Sequence, residues 1–306
     1  MTIKTPLKGI IPPMVTPLKD NDTLDVKGLE RLIEHILVGG VKGLFILGTT
    51  GEAPNLSYRL RRELVRRTCS QVNNRVPILV GITDSSIAES IQLAKQSAKY
   101  GADAVVAAPP YYFKLQQAEL LEYYKHLADH SPLPIFVYNM PSHTKVSIEP
   151  ETVKKIAKHK NVIGLKDSSG NSIYFQTLIH AMGNKTNFSL FTGPDIITAE
   201  TILLGGQGGV NGGANMFPQL YMSMYQAATD KDIKRLMPIH KTIRQIWSTI
   251  YYAINSDTCH LSGIKCALSI MGICNDFVAT PFSKLNEFER ASVKKALEDL
   301  DYQNLT

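Results

Sequence analysis

Two hydrophobic periods alternate along the chain. Short, β-branched apolar runs stand at residues 9–15, 43–48, 76–82, 104–108, 134–138, 162–166, 188–192 and 208–211. Each of the first seven leads into a stretch with apolar residues at helical spacing, at 26–37, 58–72, 85–100, 117–130, 149–159, 172–181 and 196–204. Strands that alternate with helices imply parallel pairing, because a parallel neighbour is reached only by a crossover. Continuously apolar strands also suit a sheet covered on both faces. Eight such units predict an α/β fold, a closed (β/α)8 TIM barrel, rather than an open doubly wound sheet. No GxGxxG follows the first run, which weakens a dinucleotide-binding reading. Beyond Asn215 the strand signals stop, and residues 218–229, 231–254, 260–271 and 284–300 read as helices. The predicted division is a barrel carrying the catalytic site over 1–215 and a C-terminal helical extension packed on it over 216–306.

Composition narrows this picture without naming a reaction. The 306 residues are 44% hydrophobic and 20% charged, enough for a large core and far from a disordered chain. Lys and Arg exceed Asp and Glu by 33 to 27, but the surplus is spread thinly. Its densest patch, Arg59 to Arg67, reads as one solvated helix face rather than a nucleic-acid surface. Cys69, Cys259, Cys266 and Cys274 form no CxxC pair, and free buried thiols in a reducing compartment are the plain expectation. The first residues lack an apolar segment of signal-peptide length, and no apolar run reaches about 18 residues. The expectation is a soluble cytoplasmic protein with neither nucleic acid nor membrane as partner.

In barrels of this kind the site is built at the C-terminal strand ends. There the chain carries Gly48-Thr49-Thr50-Gly51-Glu52, Pro109-Pro110-Tyr111-Tyr112, Tyr138-Asn139-Met140-Pro141, Lys166-Asp167-Ser168-Ser169, Gly193-Pro194-Asp195 and Val210-Asn211-Gly212-Gly213. Lys166 is the sharpest of these. An ammonium on a strand buried on both faces is costly unless it is paired or gives up its proton. A neutral amine in an apolar pocket adds to a carbonyl carbon and forms a Schiff base. The plainer alternative is a lysine snorkelling to solvent at the strand end. Tyr138, on the adjacent strand, is either a proton carrier or an aromatic plug of the barrel. Thr49 and Thr50 lie between glycines, where hydroxyls and backbone N–H groups form an anion-sized cradle or simply an ordinary turn. Tyr111 and Tyr112 suit a ligand, a subunit interface or loop packing. The late glycine loops suit a phosphate or the close approach of backbone to a small substrate. The eight histidines show no HxH or HExxH spacing, so no metal site is expected, and no nucleophile elbow supports Ser-His-Asp chemistry.

Taken together, Gly48-Thr49-Thr50-Gly51-Glu52, Tyr138-Asn139-Met140-Pro141 and Gly164-Leu165-Lys166-Asp167 resemble the signatures of the pyruvate-dependent aldolases, the dihydrodipicolinate synthase and N-acetylneuraminate lyase family. The likeness runs collinearly from about Gly9 to Leu300. It implies a barrel with a C-terminal helical extension, assembled as a homotetramer of two tight dimers or as a dimer. It also implies that Lys166 forms a Schiff base with the keto carbon of pyruvate, with no cofactor and no metal. Tyr138 would shuttle protons and contact the pyruvate carboxylate, and Thr49 and Thr50 would hold that carboxylate and relay protons. Tyr112 would reach across the dimer interface to complete the relay, while Gly193 and Val210 match backbone positions lining the pyruvate pocket.

Departures from the family pattern bear on the acceptor. True dihydrodipicolinate synthases resemble one another in an arginine that grips the carboxylate of aspartate semialdehyde; here that place falls on His143. Histidine lacks the bidentate fork and is mostly neutral near pH 7. Lys145, at a place normally held by glycine, is a possible substitute. N-acetylneuraminate lyases have an acidic pair after the strand-seven glycine. Asp195 matches its first member, Ile196 replaces the second, and Ser168 matches the hydroxyl residue after the lysine. With Ser142, Ser168, Asp195 and Asn211 as partners for hydroxyls, the expected substrates are a 2-oxo acid and an aldehyde, joined as a 2-keto-3-deoxy sugar acid or sialic-acid-like compound. The alternatives are 4-hydroxy-tetrahydrodipicolinate synthase and, remotely, a non-catalytic barrel that binds a 2-oxo acid.

Overall fold

A computed structural model describes residues 3–183, 187–253 and 259–305, with Cys259 described by its backbone alone. The thiol of Cys259, the end of the helix expected at 231–254 and the extreme chain ends lie outside the described residues. All eight expected strands pair in parallel. They are β1 (Gly9–Ile10), β4 (Leu44–Ile46), β5 (Ile78–Gly81), β6 (Ala104–Ala107), β7 (Ile135–Asn139), β8 (Val162–Asp167), β9 (Ser189–Thr192) and β10 (Gly208–Gly209). The sheet order is β1-β10-β9-β8-β7-β6-β5-β4. A parallel bridge between Pro13 and Phe45 closes the ring. There the Phe45 N–H donates to the Pro12 carbonyl at 3.0 Å and the Met14 N–H to the Phe45 carbonyl at 2.8 Å. An unexpected antiparallel pair, β2 (Leu18–Asp20) with β3 (Thr23–Leu24), precedes the first helix. Its strands are too short and polar to give a period.

The helices between strands begin where side chains satisfy their first N–H groups. Asp25 caps α1 (Val26–Val38), Ser57 caps α2 (Tyr58–Val72) and Ser86 caps α3 (Ile87–Tyr100). A Gln116–Glu119 capping box starts α4 (Gln117–His130). Between β7 and β8 lie a four-residue helix, α5 (Pro141–Thr144), and α6 (Pro150–Ile156), shorter than the expected 149–159. Next come α7 (Ser172–Met182) and α8 (Thr198–Leu203).

Beyond the strands, α9 (Pro218–Thr229), α10 (Ile233–Ile246), α11 (Cys259–Ile270) and α12 (Glu287–Asp299) follow. The long helix expected at 231–254 changes character at Trp247, where residues Trp247–Tyr251 form a π-helical turn. A 3.6-residue period cannot register one residue inserted into a turn.

Two apolar layers result. The larger packs the outer faces of the strands against the helices, including those of the extension. The smaller fills the barrel with Phe45, Leu79, Val106, Phe136, Tyr138 and Phe191 among others. Gly164 lets the Phe136 ring into this interior, since a Cβ there would lie 2.3 Å from the ring. The β7–β8 register sets Tyr138 directly opposite Lys166 and Asn139 opposite Asp167. Phe191 flanks Lys166 from β9. Among the described residues no helix is long and apolar enough to cross a membrane.

Candidate active site

Lys166 ends an inward row of the barrel, and only 6% of it is exposed. Its Nζ lies 4.3 Å from the centre of the Tyr138 ring and 5.0 Å from that of Phe45. Among the described residues no carboxylate forms an ion pair with it, so the amine stands on aromatic faces instead. That settles one alternative left open by the sequence: the side chain does not snorkel. The Tyr138 hydroxyl meets Thr49 Oγ1 at 3.3 Å. Burial pushes the Tyr138 phenol up. The Lys166 charge and hydrogen bonds with Thr49, Ser168 and Lys166 outweigh it and hold the phenol below its ordinary value.

These groups open into a cavity of about 620 Å³. Thr49, Thr50, Ser168, Gly193 and Val210 line it with Lys166 and Tyr138. A Cβ on Gly193 would sit 2.1 Å from Ser168 Oγ, so the glycine lets the two strand-end loops close on each other. The threonine cradle is held under backbone strain. Leu47 and Glu52, on either side of it, both adopt φ of +57°. Glu52 is anchored from the extension: the buried Lys265 ammonium pairs with one of its oxygens, and the Ala279 N–H donates to the other at 2.7 Å. Lys265 donates further to the Phe277 carbonyl at 2.6 Å. Burial holds the Lys265 ammonium below its ordinary value, against the pull of Glu52. On the other flank, Asn139 donates to Asp167 at 2.8 Å and accepts from the Ile148 N–H at 3.0 Å, bracing the loop behind Tyr138.

Three expected site residues stand outside the cavity lining, and a fourth, Asp195, lines it with a carboxylate already engaged by the protein. Asp195 reaches the cavity wall with its carboxylate already engaged: Tyr221, Tyr251 and the Gly213 N–H donate to Oδ2, and the Gly212 N–H donates to Oδ1, the two N–H bonds at 3.1 Å each. It is a buried brace, its acidity weakened by burial against those hydrogen bonds. Asn211 is fully buried and donates to Thr198 Oγ1 and the Gly193 carbonyl, so it holds the strand end from behind instead of facing substrate. His143 is exposed on α5, beside Ser142, outside the cavity lining. Tyr112 is 79% exposed, packed edge-on against Phe113, and likewise outside that lining in a single chain.

The sequence reading missed the wall supplied by the extension. Trp247, Tyr251, Tyr252 and His260 line the same cavity. The aromatic cluster around Tyr251 was the one available signal, and it lies in a segment otherwise read as a plain helix. Among the described residues no group of three or more His, Cys, Asp or Glu is arranged to hold a metal ion. The thiols of Cys69 and Cys274 are both buried and pushed up to about 12, and that of Cys266 to about 11.

A family model, the dihydrodipicolinate synthetase family, matches residues 6–300. A solved dihydrodipicolinate synthase from Bacteroides thetaiotaomicron superposes with a TM-score of 0.95 at 53% identity, covering 97% of this chain and 100% of that one. YagE of Escherichia coli K12, a member of the dihydrodipicolinic acid synthase family solved in complex with pyruvate, superposes at 0.92 with 33% identity over 97% and 99% of the chains. The same protein is described as a putative 2-dehydro-3-deoxy-D-gluconate aldolase. The 4-hydroxy-tetrahydrodipicolinate synthase of Archaeoglobus fulgidus is 32% identical over 294 residues, 96% of this chain and 98% of that one. The chain therefore belongs to the dihydrodipicolinate synthetase family and is an enzyme of that family's Schiff-base, carbon–carbon lyase chemistry.

Proposed function

We propose that the protein cleaves or forms the C–C bond between pyruvate and a hydroxylated aldehyde, with a 2-keto-3-deoxy sugar acid or sialic-acid-like compound as the joined species and Lys166 as the Schiff-base lysine. The observation that carries the chemistry is the buried Lys166 amine lying over Tyr138, with the Thr49 hydroxyl on the Tyr138 phenol. Nζ adds to the keto carbon, and loss of water leaves an iminium. In cleavage, Tyr138 takes the proton of the C4 hydroxyl as the C3–C4 electrons pass to the iminium nitrogen. The aldehyde departs, C3 of the enamine regains a proton, and water releases pyruvate and the free amine. Thr50 and the backbone at Gly193 and Val210 orient the carboxylate, and no cofactor beyond this adduct is called for.

The hydroxylated acceptor is supported by the charge inside the cavity. Among the described residues Lys166 is the one Lys or Arg that lines it. Lys145, the possible substitute for the missing arginine, is exposed and donates to the Ser142 carbonyl at 2.8 Å. Ser168 offers a hydroxyl partner. The Bacteroides thetaiotaomicron neighbour's description as dihydrodipicolinate synthase favours a second reading, in which aspartate semialdehyde is the acceptor. A panel of sugar acids and aldehydes, scored for pyruvate release or consumption, separates the two. Turnover of aspartate semialdehyde alone, improved by His143→Arg, would replace the first reading with the second.

The same proposal places the enzyme in the cytoplasm as a homotetramer, with Tyr112 completing the proton relay of a neighbouring copy. The exposure of Tyr111, Tyr112 and Phe113 supports that reading. It also takes the barrel of 1–215 and the extension of 216–306 as one folding unit.

Tyr138→Phe keeps the ring and removes the proton carrier. Turnover should fall by roughly a hundredfold or more. Because the phenol is held low, activity should rise with pH below the ordinary range of tyrosine as the phenolate forms. That limb of the pH profile of kcat/KM should vanish in the variant.

A further inference from the structure

Part of the cavity wall belongs to the helical extension, and its chemistry differs from that of the strand-end loops. A π turn forms its first part, Trp247–Tyr251, with Tyr252 immediately after it. Trp247 and Tyr251 lie within that turn, where i→i+5 bonding sets the fourth residue close to the first on one side of the helix, and Tyr252 leaves it with φ of −110° and ψ of 32°. Trp247, Tyr251 and Tyr252 all reach the cavity.

These three aromatics do not share one task. Tyr251 is buried and its hydroxyl is committed to Asp195 at 2.7 Å. Trp247 and Tyr252 have ring centres 4.6 Å apart and planes tilted by 59°, a corner rather than a stack. Tyr252 is 57% exposed, so this corner lies toward the mouth. A three-carbon oxo acid held at Lys166 fills a small part of about 620 Å³, leaving the space beneath the corner for the rest of a longer substrate. Asp195, the carboxylate expected to take hydroxyls there, already accepts four hydrogen bonds from the protein, three of them on Oδ2. An aromatic corner suits a polyol chain: its C–H face packs on the rings while its hydroxyls remain toward water.

We propose that Trp247 and Tyr252 form the specificity-determining platform for the aldehyde half of the substrate, packing on the C–H face of a hydroxylated chain. This rests on the function proposed above and adds the residues that select chain length.

The test compares cleavage of a six-carbon 2-keto-3-deoxy sugar acid with that of 4-hydroxy-2-oxobutanoate, which has no carbon beyond the reacting carbinol. Purified full-length enzyme is compared with Trp247→Leu and Tyr252→Leu. The expected result is a roughly tenfold fall in kcat/KM for the longer substrate in at least one variant. The shorter substrate should change by less than about threefold. Equal losses on both substrates, or no loss on either, overturn the platform while leaving the proposed function standing. Loss of the borohydride-trapped pyruvate adduct in both variants would make the two rings supports of the fold, and also overturns it. Absence of sugar-acid turnover in the unaltered enzyme removes the proposed function and the platform with it.

Discussion

Lys166→Ala should abolish the adduct that borohydride traps between the enzyme and pyruvate, and should lower turnover by at least about four orders of magnitude. The unaltered chain is expected to gain one reduced pyruvate mass by intact-protein mass spectrometry; the variant is expected to gain none. The size of the effect follows from what the amine does. In the proposed mechanism it is the electron sink itself once condensed, so no neighbouring group can take over by being slightly misplaced. The chain contains other lysines, and the sharp test is therefore the location of the label. Lys166 stands on the faces of Tyr138 and Phe45, a partly apolar setting in which addition to a carbonyl is not hindered by an ion pair. An undiminished adduct in the alanine variant would move the chemistry to a different amine. The folded state should tolerate the change, since the buried amine has no carboxylate partner among the described residues and its deletion orphans no charge there.

Lys265→Met is the opposite case: a large effect on stability, with the chemistry untouched at first hand. Lys265 and Glu52 are both fully excluded from solvent. Removing one partner leaves the Glu52 carboxylate buried against the Ala279 N–H alone, which should cost about 3–5 kcal/mol. The urea midpoint should fall accordingly. A double variant, Glu52→Gln with Lys265→Met, removes both charges and should recover most of the loss. If the double variant is no more stable than the single one, shape rather than charge governs the site. A single cooperative transition, shifted as a whole, is expected if barrel and extension fold as one unit. Two transitions would separate them. Because Glu52 bounds the strained threonine loop, the single variant should also weaken pyruvate binding, read as a higher pyruvate concentration for half-maximal trapping.

Much of the site could be read from the chain because its determinants are local or follow from strand order. Tyr138 and Lys166 each end an apolar run, and consecutive parallel strands of a barrel are neighbours, so their adjacency needed no knowledge of distant contacts. The same logic placed Thr49, Thr50, Ser168, Gly193 and Val210 at one mouth. It did not foresee the hydrogen bonds of Asp195 and Asn211, which stand at the expected strand ends but are engaged by other parts of the chain. Their partners include Tyr221 and Tyr251, from the extension, in the first case and Thr198 in the second. Spacing says where a carboxylate starts; it does not say which donors reach it first. His143 and Tyr112 show a related limit, since a strand-end loop can lead outward as readily as inward.

By itself the sequence determined the eight-fold βα alternation, the helical tail and the identity of the amine and phenol at the mouth, because period, strand order and residue chemistry are carried by short stretches of chain. Only the tertiary structure decided that Asp195 is engaged by the extension, that Lys265 ties the threonine loop to the extension, and that Trp247, in a π turn, and Tyr252, just after it, reach the cavity. Each of those depends on contacts between segments far apart in sequence, or on one inserted residue in a helical turn, and neither leaves a periodic trace.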